Sequence, residues 1–119
     1  MIDILEPGES FAFCKLPEGD IIISVIMPDL FPSGRLLTTP GAEEALKEAN
    51  VSLLDLLSRH LKGDWGDLDA DDKRMNNEAV KSGEDRIFSS YDLPESSQRI
   101  WIITEADRSC TTALLPDEY

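Results

Sequence analysis

The feature that most restricts what this chain can fold into is a doubly bent corner, Gly63-Asp64-Trp65-Gly66-Asp67, at the end of a leucine-rich segment. Glycine adopts positive φ without steric cost, so Gly63 is placed to end the preceding helix and Gly66 to turn the chain again. Trp65 lies between the two bends. An indole in so tight a turn buries most of its ring and needs a partner for its N–H, while Asp64 and Asp67 are suited to accept backbone amide hydrogens. The corner is expected to fasten a helical layer to a sheet. The rival use of the same residues, with His60 just upstream, is recognition or catalysis.

The segments on either side supply the helices. Thr39 can cap a helix, Pro40 suits the first helical position, and Glu43 and Glu44 favour the positive end of its dipole, which predicts a helix over 40–49 that Asn50 ends. Ser52 is a second candidate cap. Leu53, Leu54, Leu56, Leu57 and Leu61 then recur at helical spacing, an apolar stripe that must face a core. Past the corner, Asp69 precedes a third helix with an acidic first turn and Lys81 near its end, closed by Ser82-Gly83. Its inward candidates are Met75, Ala79 and Val80, with Asn76 and Asn77 facing outward or toward the corner.

The rest reads as strands. Residues 86–91, 99–105 and 110–115 are β-branched or aromatic, joined by short turn-rich connections, and Pro116 stops the last. Arg99 to Glu105 is the most strongly β of the three and the candidate central strand. Such short connections favour antiparallel pairing, because parallel neighbours need a long crossover. Upstream, residues 11–16 and 21–26 flank the turn Pro17-Glu18-Gly19-Asp20, and residues 35–38 form a further short strand. The expected class is α+β: an antiparallel meander packed against three helices, with an N-terminal β-hairpin arm over residues 1–34 and the main body over 35–119. A chain of 119 residues suits one domain and is too short for two independent cores.

Charge narrows the partners. With 24 acidic against 11 basic residues the formal charge is -13, which disfavours direct binding to nucleic-acid phosphate or an anionic membrane. Basic protein surfaces, including those that themselves bind nucleic acid, are favoured instead. The longest apolar run, Ile21 to Met27, is too short to span a bilayer, and the acidic N-terminus is unlike a signal peptide. Cys14 and Cys110 are far apart, with no CxxC spacing, so two reduced thiols in the cytoplasm are expected. No cofactor motif is visible.

Several runs resemble a family of small bacterial proteins labelled plasmid-related. They are Phe31-Pro32-Ser33-Gly34-Arg35-Leu36-Leu37-Thr38-Thr39-Pro40-Gly41-Ala42; Arg59 to Leu68; Asp72-Lys73-Arg74 with Asn76 or Asn77 and Glu78; Arg99 to Ser109; Thr111-Thr112; Leu114-Leu115-Pro116; and Glu118-Tyr119. The likeness covers residues 31 to 119, and the first thirty residues depart from it. It implies a mobile-element setting and no mechanism. The restriction-subunit label sometimes attached to such proteins carries no weight, since a methyltransferase or nuclease needs a larger fold.

Two functions compete. A metal-dependent hydrolase would gather His60, Asp64 and Asp67 with Glu105 or Asp107 around a divalent ion that activates water, although the chain has one histidine and no HExxH spacing. Arg108 would oppose this by neutralising the acids as an ion pair. A non-enzymatic acidic binding module would use its carboxylates to steer a basic partner onto the corner, with His60, Asp64, Trp65, Asp67, Asp107 and Arg108 as the binding locus. In a mobile-element setting it would modulate or inhibit a host nucleic-acid-binding system as a mimic of phosphate charge. A homodimer through an edge strand of the arm is a third possibility.

Overall fold

The computed structural model describes residues 2–3 and 29–119. In chain order the elements are β1 (Ile2–Asp3), β2 (Arg35–Thr38), α1 (Pro40–Ala49), α2 (Leu53–Leu61), α3 (Ala70–Ser82), β3 (Ile87–Asp92), β4 (Arg99–Thr104) and β5 (Cys110–Leu114), then a 3-10 turn over Pro116–Glu118. The strands at 11–16 and 21–26 expected for the arm, with Cys14, lie outside the described residues.

The helices begin and end for the reasons the sequence offers. Thr39 Oγ1 accepts the Ala42 amide at 3.1 Å, and Asp69 Oδ1 accepts the Asp72 amide at 2.8 Å, each satisfying a donor that the first turn leaves open. Asn50 and Gly83 close α1 and α3 with φ of 56° and 70°. Ser52 departs from expectation. It precedes α2 in extended backbone, yet its side chain makes no capping hydrogen bond. The helix is held instead by burial of Leu56, Leu57 and Leu61.

The strands form one sheet in the order β1-β2-β5-β4-β3. The expected meander is present as β3-β4-β5, antiparallel throughout. The sheet is nevertheless mixed, because β2 pairs parallel with β5, Leu36 opposite Thr111 and Thr38 opposite Ala113. All three helices and two strands intervene between β2 and β5, which provides the long crossover that parallel neighbours require. Short local turns dictate only the pairings they span.

One face of the sheet carries the helices. Leu36 on β2, Tyr91 on β3, Ile100 and Ile102 on β4 and Ala113 on β5 are buried against Ala42, Ala45 and Leu46 of α1 and Leu56 and Leu57 of α2. A smaller cluster joins Phe31, Leu61, Trp65, Ala79 and Ile87. Along β3 the inward side chains run Ile87, Ser89, Tyr91, so a polar position separates the two apolar clusters. That interruption is where His60 enters.

Candidate functional site

The corner is built against the outer edge of β3. Gly63 and Gly66 both have positive φ, 90° and 74°, and the second bend brings residues 65 to 67 alongside the strand. The Ser90 amide donates to the Trp65 carbonyl at 3.3 Å, and the Asp67 amide donates to the Ser90 carbonyl at 2.6 Å. Asp67 Oδ2 accepts the Asp92 amide at 2.8 Å. Because β3 pairs with β4 through Ile87, Ser89 and Tyr91, it is Phe88, Ser90 and Asp92 whose backbone groups point away from the sheet. The corner satisfies both backbone groups of Ser90 and the amide of Asp92. It is close enough that a Cβ on Gly66 would lie 2.1 Å from the Ser90 carbonyl oxygen.

Phe88 is satisfied from α3. Asn76 Nδ2 donates to the Phe88 carbonyl at 2.6 Å, and Asn76 Oδ1 accepts the Phe88 amide at 3.1 Å. A carboxamide has the donor and acceptor of a peptide unit, so one side chain imitates a neighbouring strand. The expected facing of α3 holds at Ala79 and Val80, which pack on the core, but not at residues 75 and 76. Asn76 turns inward and is buried, whereas Met75, expected inward, is exposed. The edge of β3 needs a paired donor and acceptor, which methionine cannot supply. An edge strand left bare is a template for unwanted pairing, and here the corner and Asn76 seal it.

Trp65 is buried and donates its indole N–H to Asn77 Oδ1 at 3.0 Å. Its ring stacks on Phe31 at 6.2 Å, and both meet His60 edge-on at 5.8 and 5.4 Å. The Tyr91 hydroxyl donates to the Asp64 carbonyl at 2.6 Å. Burial pushes the Tyr91 phenol up from its ordinary value.

His60 is fully buried in a chain of hydrogen bonds crossing the sheet. Nδ1 meets Ser89 Oγ at 2.5 Å, Nε2 meets Thr104 Oγ1 at 2.9 Å, and Thr104 Oγ1 meets Thr111 Oγ1 at 2.7 Å. Thr111 in turn donates to the Ser33 carbonyl at 2.7 Å. That last bond sets the direction of all the others, because a carbonyl can only accept. Thr111 has one proton and gives it to Ser33, so Thr104 donates to Thr111. Thr104 must then accept from His60 Nε2–H, and Nδ1 accepts from Ser89. The imidazole is thereby assigned as the neutral Nε2–H tautomer. Desolvation pushes its pKa down to about 3.

The other candidate residues are engaged separately. Asp64 pairs with Arg59 at 2.6 Å, with both side chains about half exposed, and its Oδ1 accepts the Gly66 amide at 3.2 Å. The hydrogen bond from Arg59 holds the Asp64 carboxyl below the usual carboxylate range and the guanidinium above its own. Asp107 lies in the β4 to β5 turn, where its Oδ1 accepts the Ser109 amide at 3.0 Å. Hydrogen bonds from Ser109 lower its pKa.

Arg108 seeks carbonyls rather than carboxylates. Its Nη2 donates to Ala79 at 3.0 Å in the last turn of α3, and its Nη1 to Asp85 at 2.7 Å and to Glu105 and Ala106 at 3.2 Å. A cation at the negative end of a helix dipole is well placed, and the guanidinium also lies over Phe31, 5.8 Å from the ring centre. His60, Asp64, Asp67 and Asp107 therefore do not meet at one point. Among the described residues no group of three or more His, Cys, Asp or Glu side chains is arranged to hold a metal ion.

Sequence reasoning missed Asn76 as a strand mimic and the row Ser89, Thr104, Thr111. Alternation along the strands marks those three as inward-facing polar residues, a signal that a buried polar partner such as His60 is needed. Compared with known proteins, the chain matches no family model, no curated protein and no solved structure. No helix among the described residues is long and apolar enough to cross a membrane.

Proposed function

We propose that this chain is a non-enzymatic, acidic protein-binding module of mobile-element origin that engages a basic surface in the cytoplasm, on a partner that itself handles nucleic acid. The observation that carries the reading is the formal charge of -13 on 119 residues. A field of that sign raises the encounter rate with cationic surfaces and repels phosphate. The arrangement of the corner supports a non-enzymatic role. His60, Asp64, Asp67 and Asp107 are each tied into separate internal hydrogen bonds, and a hydrolase built on them would first have to break those bonds and bring the four side chains together.

The test is capture of partners by the immobilised chain from a bacterial lysate at low and at high ionic strength. The reading expects basic, nucleic-acid-binding proteins whose retention falls steeply as salt screens the charges. Retention of no basic protein, or of one indifferent to salt, would sink it.

A further inference from the structure

Inward rotation of Asn76 leaves Met75 on the surface, 61% exposed and next to a groove of about 360 Å³ between α3 and β3. The groove is lined by Met75 and Phe88, with Asp72, Glu78, Asp85 and Arg86 around them. Its aromatic lining continues beyond the groove. Phe88 meets Trp101 edge-on at 4.9 Å, Trp101 meets Tyr119 at 6.0 Å, and Tyr119 is 66% exposed.

Methionine, phenylalanine, tryptophan, tyrosine and arginine are the residue types enriched at the centres of protein interfaces, and here they form one continuous strip. Methionine adds a flexible, polarizable surface that conforms to a partner. The charges around the strip are unbalanced. Asp72, Glu78 and Asp85 make no ion pair among the described residues, while Arg86 is already bonded to the Tyr119 hydroxyl and lies over its ring at 5.4 Å.

We infer that this groove docks an arginine-bearing segment of a protein partner. The inference rests on the proposed acidic binding module and gives it a location. A guanidinium suits the lining better than an ammonium, because its plane stacks on an aromatic face and its fork bonds a carboxylate in two places. The aliphatic stem would lie along Met75 and Phe88. A second copy of this chain is the wrong occupant, since it would bring the same excess of negative charge to the groove.

The experiment measures binding of fluorescein-labelled oligo-arginine and oligo-lysine peptides by anisotropy at low salt. Three purified variants are compared with the unmodified chain, each first shown by circular dichroism and thermal melting to be folded. Asp72→Lys with Glu78→Lys is expected to weaken oligo-arginine binding by about tenfold or more. Glu43→Lys with Glu44→Lys makes the same change in net charge on the exposed side of α1 and is expected to cost about threefold or less. Met75→Ala alters no charge and is expected to weaken binding several-fold. Oligo-arginine is expected to bind more tightly than oligo-lysine.

Equal losses from the two charge reversals, with Met75→Ala silent, would overturn the groove assignment while leaving the wider acidic reading standing. Failure of the unmodified chain to bind either peptide in a salt-sensitive way would overturn both.

Discussion

Two structures meet on opposite sides of Asn76, and they treat polar groups in opposite ways. At the corner, nearly every donor and acceptor is committed. Trp65 bonds Asn77, Asp67 bonds Asp92, the backbone of residues 65 to 67 bonds Ser90, and His60 has a partner on each ring nitrogen. In the groove between α3 and β3, three carboxylates have no cationic partner among the described residues, and a methionine side chain is exposed. The corner holds the more unusual residues, but the groove offers more unanswered chemistry. Unusual composition at a tight bend reports how hard the chain must work to make that bend, whereas unmatched groups at a surface leave something for a ligand to match.

If the corner is structural in this sense, damage to it should cost stability, with the largest loss at its closest approach. Gly66→Val places a β-branched residue at φ 74° with its Cβ against the Ser90 carbonyl. The backbone strain alone is worth about 1–3 kcal/mol, and displacement of the corner forfeits hydrogen bonds to β3 at about 1 kcal/mol each. A fall of about 4–6 kcal/mol in unfolding free energy, or failure to fold, is expected from denaturant titration. Trp65→Ala removes a buried indole and should cost about 3–5 kcal/mol by the same measurement. An effect near zero would show that the corner is detached from the sheet in solution.

The His60 chain gives a pH signature. Its folded pKa, about 3, lies below the ordinary histidine value of about 6.5, so between those values the unfolded chain binds the extra proton. Stability is therefore fully present above about pH 6.5 and is lost as pH falls toward 3, with a slope approaching 1.4 kcal/mol per pH unit. Urea titrations across that window should show the decline, and His60→Gln, which does not titrate, should flatten its own profile there. A parallel decline in the variant would assign the acid sensitivity to carboxylates instead.

Asn76→Leu strips both partners from the Phe88 backbone and should cost about 1–3 kcal/mol for each group left unsatisfied. It should also increase self-association, read by sedimentation velocity, because the edge of β3 becomes available for pairing. The smallest stability effect belongs to the groove. Asp72→Lys with Glu78→Lys should lower stability by about 1 kcal/mol, because it puts a cation in the acidic first turn of α3, while changing binding most. Reversal of that pattern, with the groove critical for folding and the corner tolerant, would invert the comparison.

Local chemistry made much of this architecture readable. Thr39, Asp69, Asn50 and Gly83 mark helix ends through hydrogen bonds and backbone angles that depend on a few neighbouring residues. The turns between β3, β4 and β5 are short enough to impose antiparallel pairing, and the two glycines of the corner declare its bends. Among the candidate functional residues, the sequence picked out the corner that organises the fold, without resolving what each side chain does there. Asp64, Asp67 and Asp107 resemble ligands when counted along the chain, but each is paired to a different partner.

The sequence by itself determined the helices, the meander, the bends around Trp65 and the acidic character of the surface, because each follows from residue type and short-range geometry. Only the tertiary structure decided that β2 runs parallel to β5, that Asn76 faces in while Met75 faces out, and that Ser33 orients the protons on His60. Those outcomes depend on which distant backbone groups are left without partners once the sheet has formed, a condition that no local stretch of the chain encodes.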